Sequence, residues 1–227
     1  MENTREQATS DTGDNRQRVI LAATTLMAAR GFEGTSIQSI ADAVGVRKQS
    51  VLYYFSTKES LREAVLEALL LRWNDILPKL LMATAKSGLA KFDSVMDELL
   101  DFFARDVDRA RLLVREILDR PNEFKSVLQK QAKAWVEMVS SFIRKGQQSG
   151  QIRSNVDPEG YVLQTACVAL TALGTAECTV ALFPHLSRQE ILTKTAAEIK
   201  RSARHSLFVD SYLQHQESAR DSLRKEG

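Results

Sequence analysis

The sequence predicts an all-α chain built from an N-terminal three-helix unit with a helix-turn-helix and a larger C-terminal helical domain. Three observations predict it. Apolar residues recur at helical spacing through most of the chain. Glycine (10 of 227 residues) and proline (4) are few and fall where breaks are needed. Between Gly34 and Leu61, two short amphipathic stretches flank a single glycine, Gly45.

The first fourteen residues set Arg5 against Glu2, Glu6, Asp11 and Asp14, are rich in Ser, Thr and Asn, and read as a disordered N-terminal tail (1–14). From Val19 to Phe32 a run rich in small apolar residues forms the first helix. In the second, Ile37, Ile40, Ala41 and Val44 give one apolar face. Gly45 ends it, because a residue without a Cβ turns the chain through positive φ at least cost. Val46, Val51 and Phe55 supply the buried side of the third helix, and the small Ala41 lets the two backbones approach.

That assignment leaves Arg47, Lys48, Gln49, Ser50, Tyr53 and Tyr54 on the outer face. Cations, an amide, a hydroxyl and phenols are the donor-rich set that reads base edges and phosphates. A solvated helical hairpin would satisfy the spacing alone, but two details favour double-stranded DNA. No acidic residue occurs from Val44 to Thr57, and an exposed Tyr53–Tyr54 pair is costly unless something stacks on it or accepts its hydroxyls. The charge distribution agrees: residues 15–62 hold seven cations against three anions, on a chain of net charge +2.

The remainder, 63–227, is expected to be one helical domain for ligand binding and dimerisation. A long helix starts with Thr57 as N-cap and runs to about Met82, with Pro78 kinking it. Helices follow near 91–107 and 109–118, and Pro121 then fits the first turn of a helix expected to continue to about Gln148. Asp157-Pro158-Glu159 opens a helix that is apolar nearly all round from Tyr161 to Leu182. Ser187 and Glu190 form a capping box for a final helix whose apolar positions run from Ile191 to Leu213. A helix apolar all round must be covered on all sides. The last two helices are therefore expected to pair with their copies in a second subunit as a four-helix bundle, with a central helix in a monomer as the alternative. Trp73, Phe102, Phe103, Trp135, Met138 and Phe142, with Thr171 and Glu177 as polar handles, are candidates to line an apolar ligand cavity. The same spacing also suits plain core packing.

From about Arg16 to Leu66 the chain resembles the TetR family of bacterial transcription regulators. The resemblance rests on the helix VILAATTLMAARGF, Thr35, Ile40-Ala41, Gly45-Val46 and Tyr54-Phe55, then Lys58-Glu59 after a two-residue gap, with Leu61 following. It implies a helix-turn-helix DNA-binding domain over 15–62 and a divergent C-terminal domain holding the dimer interface and the ligand pocket. It also implies a homodimeric repressor released from an inverted-repeat operator by a small apolar or amphipathic molecule. Carried over residue by residue, Gln38, Lys48, Gln49, Ser50 and Tyr53 become groove or backbone contacts, and Thr35, Tyr54 and Lys58 phosphate contacts. Three positions depart from the family pattern, which usually has a small or neutral residue at Arg47, Gly or Pro at Gln49, and Tyr at Leu52. Leu52 lacks the hydroxyl for a phosphate contact, which moves that contact to Tyr53, and Arg47 adds a compensating one. A helical ligand-binding or protein-interaction module that no longer binds DNA is the alternative those departures support.

Other classes find little support. His185, His205 and His215 lack the spacing that gathers imidazoles on one helix turn, so no metal is expected. There is no HExxH, CxxC, P-loop or glycine-rich loop, so neither catalysis nor a cofactor is expected, only a small-molecule effector. The most apolar stretch, Val162 to Phe183, is interrupted by Gln164, several threonines and Glu177, which argues against a membrane span. The polar N-terminus lacks a secretory pattern, and the expected location is the cytoplasm. Cys167 and Cys178 share a predicted helix face but lie roughly 16 Å apart at the helical rise, too far to bridge. Both are expected to be small buried residues, with a redox link between subunits as the alternative.

Overall fold

The computed structural model describes the backbone of residues 2–82 and 88–225, and side chains at 14–71, 88–130, 132–216 and 218. Its described residues form twelve helices: α1 (Glu2–Arg30), α2 (Ile37–Val44), α3 (Lys48–Tyr54), α4 (Lys58–Met82), α5 (Gly88–Ala104), α6 (Val107–Asp119), α7 (Pro121–Gln131), α8 (Lys133–Gln148), α9 (Pro158–Gly174), α10 (Ala176–Val180), α11 (Arg188–Leu207) and α12 (Asp210–Lys225). Among them there is no strand, only an isolated antiparallel bridge between Ile152 and Phe208. Two compact units result, Met1–Trp73 with Asp108–Val127, and Asn74–Val107 with Leu128–Gly227.

In the first unit, Val19, Ala23 and Met27 of α1 are buried with Ile40 and Ala41 of α2, Val51 of α3, and Leu61 and Val65 of α4. These are the positions that helical periodicity assigns to the apolar faces. The backbone of α1 is helical from Glu2, where composition predicts a disordered tail. Composition reports whether a segment can pack; a proline-free stretch with acids near its N-terminus can still extend a helix locally. Thr57 and Ser60 cap α4 reciprocally, the Ser60 amide donating to Thr57 Oγ1 at 3.0 Å and the Thr57 amide to Ser60 Oγ at 3.2 Å. The predicted kink at Pro78 lies among residues whose side chains are not described.

In the second unit α9 packs on α8, α11 and α5 around a core that includes Leu89, Ile143, Ile152, Val162, Leu207, Phe208 and Leu213. Asp157 caps α9 by accepting from the Gly160 amide at 2.6 Å, and Ser187 and Glu190 form the expected capping box on α11. Tyr161 donates from its hydroxyl to the Ala203 carbonyl at 2.8 Å, and burial pushes its phenol above the usual range.

Three expected helices are broken. The stretch read as one helix from Pro121 to Gln148 divides at Ala132, whose own amide still donates to Leu128 O at 2.8 Å; no glycine or proline marks the break. The helix expected to reach Leu182 stops at Gly174, and the next residue, Thr175, bonds its hydroxyl back to Thr171 O at 2.7 Å, a contact that bends helices. The final helix ends at Leu207 rather than passing Leu213. There the chain is drawn into backbone pairing, with the Arg153 amide donating to Leu207 O at 3.0 Å and the Val209 amide to Gln151 O at 3.1 Å. Cys167 and Cys178 are both exposed free thiols in the single chain, not the buried residues expected. Among the described residues, no helix is long and apolar enough to cross a membrane.

Candidate nucleic-acid interface

The turn between α2 and α3 follows from its sequence. Ser36 and Ser39 cap α2 reciprocally, the Ser39 amide donating to Ser36 Oγ at 3.0 Å and the Ser36 amide to Ser39 Oγ at 3.1 Å. At the other end Gly45 adopts φ +78°, ψ +31°, and its amide and that of Val46 close onto Ala41 O at 2.9 and 3.0 Å. Left-handed backbone at this point suits a residue without a Cβ.

Two arginines of α1 brace the motif, Arg18 at this turn and Arg16 at the far end of α3, a role that charge counting does not reveal. Arg18 Nη2 donates to the Val44 carbonyl at 2.9 Å, satisfying an acceptor at the C-terminal end of α2. The Arg16 guanidinium lies 5.1 Å from the centroid of the Phe55 ring, just past the end of α3. Their spacing before the apolar run of α1 was the available signal.

The predicted contact residues separate into three groups. Arg47, Lys48 and Gln49 are exposed along the start of α3, and Tyr53 stands out at 80% exposure. Ser50 and Tyr54 are half-buried, with Tyr54 making an edge-on ring contact to Tyr53 at 5.4 Å. Leu52 is partly exposed at the same surface without a polar group to offer. On α2, Gln38 is exposed and donates from Nε2 to Asp42 Oδ1 at 2.7 Å. Thr35 does not belong on this surface: it is buried, and its hydroxyl donates to Gly31 O at 2.8 Å. Its hydroxyl is spent fixing the corner between α1 and α2. Lys58 is half-buried, its ammonium 4.2 Å from the centroid of the Phe32 ring.

Phe32 anchors a polar cluster behind that corner. The guanidinium of Arg120 lies 4.3 Å from the same centroid and that of Arg62 lies 5.9 Å from it. Arg62 also forms a buried ion pair with Glu116, Nε donating to Oε2 at 2.7 Å and Nη2 to the same oxygen. Glu116 sits on the buried side of α6 with Leu112 and Leu113, so an acid on an apolar face was the sequence signal for it.

Of the ligand-pocket candidates, Phe102 and Phe103 are buried and meet edge-on at 5.0 Å. Trp135 packs on the core of the second unit, Met138 is half-buried, and Phe142 is half-buried with the Lys91 ammonium 4.8 Å from its centroid. Thr171 and Glu177 are not cavity handles. Both are exposed; Thr171 donates to Cys167 O at 2.7 Å, and Glu177 pairs with Arg188 at 2.9 Å. The Trp73 side chain lies outside the described residues. Among the described residues, no group of three or more His, Cys, Asp or Glu is placed to hold a metal ion.

Residues 19–65 match the family model of bacterial regulatory proteins, tetR family. The transcriptional regulator RutR of Escherichia coli (strain K12) is 30% identical over 148 residues, spanning 65% of this chain and 68% of RutR. The chain belongs to the TetR family. The negative transcriptional regulator IcaR of the Staphylococcus aureus biofilm operon (strain Newman) is 23% identical over 138 residues, covering 61% of this chain and 72% of IcaR. The fold is shared with a TetR regulatory protein of Rhodobacter sphaeroides, with a TM-score of 0.66, 18% identity, and coverage of 84% of this chain and 97% of that one. It is also shared with KstR2 of Mycobacterium tuberculosis, at a TM-score of 0.64 and 15% identity over 86% and 95% of the two chains. As a TetR-family member the protein is a DNA-binding transcription regulator, a class of regulators rather than enzymes.

Proposed function

We propose that the protein is a homodimeric repressor, with a DNA-binding head over 15–62 and ligand-binding and dimerisation functions over 63–227. It reads an inverted-repeat operator in the cytoplasm and leaves it when a small apolar or amphipathic molecule binds. The observation that carries the reading is Tyr53, 80% exposed on α3 beside Lys48 and Gln49, in a stretch without an acid from Val44 to Thr57. Lys48, Gln49, Ser50 and Tyr53, with Gln38 from α2, contact the groove or its flanking backbone; Arg47, Tyr54 and Lys58 contact phosphates, which supply much of the affinity and its salt dependence.

Dimerisation is supported by α9, which buries Val162, Ala169 and Leu173 within the chain but leaves Leu163 and Val168 exposed. Leu182 and Phe183 continue that apolar exposure beyond α10. The exposed side of α11 carries charged groups such as the Glu198–Arg201 pair, so α9 supplies most of the apolar contact. In such a dimer the two α3 helices read successive major grooves, about 34–36 Å apart. The ligand lies among Phe102, Phe103, Trp135, Met138 and Phe142, and a coupling of about 1–3 kcal/mol between ligand and DNA changes affinity about 5–150-fold. IcaR, a negative regulator, supports repression as the direction of control. Sedimentation of the free chain and of its operator complex at micromolar concentration tests this reading. A dimer that binds one inverted repeat supports it; a monomer in both states contradicts it.

A further inference from the structure

We infer that Asp42 is a positioning residue that restricts Gln38 to reading adenine; the inference rests on the reading of α2 and α3 as the operator-binding face. The two side chains lie one turn apart on the exposed side of α2, and Gln38 Nε2 donates to Asp42 Oδ1 at 2.7 Å. A carboxylate only accepts, so the amide must present its nitrogen to Asp42, and the chemistry of the partner fixes which way the amide faces. Gln38 is left with one N–H and the Oε1 acceptor. That pair complements the major-groove edge of adenine, which offers the N6 donor and the N7 acceptor. Guanine offers two acceptors, O6 and N7, and a bidentate contact to it needs two donors. A glutamine with one N–H committed has only one to give. Thymine and cytosine are each left with a single bond.

The charge of Asp42 acts in the same direction, since an anion beside the acceptor edge of guanine is repelled and one beside an exocyclic amine is attracted. Asp42 is the only acidic residue from Gly34 to Lys58. A lone anion near phosphates weakens binding to every sequence. The hydrogen bond to Gln38 gives it a compensating role in discrimination. A pair of this kind also supports an isolated helix slightly, and the experiment separates that role from the proposed one.

Gln38→Ala first locates the base pair that Gln38 reads, as the one operator position whose preference it removes. Affinities are then measured for duplexes carrying each of the four bases there, with the unaltered protein, Asp42→Ala and Asp42→Asn. The unaltered protein should prefer adenine to guanine by about tenfold or more, the range of a good bidentate contact. Asp42→Ala should bring that ratio within about threefold, leave preferences elsewhere intact and raise affinity for all duplexes. Asp42→Asn can donate as well as accept and no longer fixes which way the amide faces, so it should lower the adenine preference part-way while sharing the gain in affinity. An unchanged adenine-to-guanine ratio in Asp42→Ala, or a loss of preference at every position, overturns the proposal. So does an unaltered protein that discriminates sequences but is insensitive to Gln38→Ala. A protein with no sequence discrimination at all would instead overturn the operator-binding reading as well.

Discussion

Glu116→Ala is the perturbation that bears hardest on how the first unit is held together. Arg62 on α4 and Glu116 on α6 retain only 7% and 3% side-chain exposure, and Arg62 Nε donates to Glu116 Oε2 at 2.7 Å. Removing the carboxylate leaves a buried guanidinium without its counter-charge, a change that costs about 3–5 kcal/mol. The Phe32 ring, with its centroid 5.9 Å from the Arg62 guanidinium, lies at the outer limit of a useful cation–π contact and recovers little. For a chain of this size, that loss lowers the melting temperature by roughly 6–20 °C. Glu116→Gln keeps an acceptor in place and should cost less. The double variant Arg62→Met, Glu116→Leu buries no charge and should recover most of the single-variant loss. Thermal and urea denaturation followed by far-UV circular dichroism measure all three. A loss below about 1 kcal/mol in Glu116→Ala, or a double variant as unstable as the single one, refutes the argument.

Three further outcomes follow from local geometry. At Gly45 an added Cβ meets nothing within 4 Å, so Gly45→Ala should cost about 1–2 kcal/mol through its backbone angle alone and Gly45→Asn less, as read by denaturation. Tyr161→Phe removes a hydrogen bond to Ala203 O and should cost about 0.5–1.5 kcal/mol in the same assay. Because burial raises the Tyr161 phenol, its stabilising contribution is complete below about pH 10 and is lost as pH rises through the higher folded value. An ultraviolet titration should therefore show one tyrosine ionising after the exposed ones. Glu190 is held below the usual carboxylate range by hydrogen bonds from the Ser187 side chain and amide. Its cap is complete above about pH 4.3 and is lost as pH falls through the lower folded value, so amide exchange at the start of α11 should accelerate there in the native chain but not in Glu190→Gln.

The elements of the helix-turn-helix were readable from sequence because every local signal there agrees. Ile40, Ala41, Val44 and Val51 fall at helical spacing, and all are buried as that spacing requires. Gly45 marks the turn, and Asp157, Ser187 and Glu190 mark helix starts by hydrogen bonds that reach only three residues. Part of what escaped was non-local. The break after Leu207 is produced by backbone pairing with residues more than fifty positions earlier, and Ala132 carries no breaker of its own. Thr35 was assigned to phosphate, yet its hydroxyl is used by Gly31 O within the corner itself. Thr171 and Glu177 were expected as polar handles of a cavity and the two cysteines as small buried residues, yet in the single chain all four are exposed, on α9 and α10. The Arg62–Glu116 pair joins positions 54 residues apart, so a local pattern marks Glu116 as an acid on an apolar face but not its partner.

Selection of random DNA duplexes by the purified protein, repeated with Lys48→Ala and Tyr53→Ala, tests the central claim most directly. The account predicts enrichment of an inverted repeat whose half-sites lie one helical turn or a multiple of it apart, with both substitutions reducing the enrichment. Absence of any enriched sequence at low salt, or an enrichment unaffected by either substitution, would contradict the assignment of α3 as the helix that reads the operator.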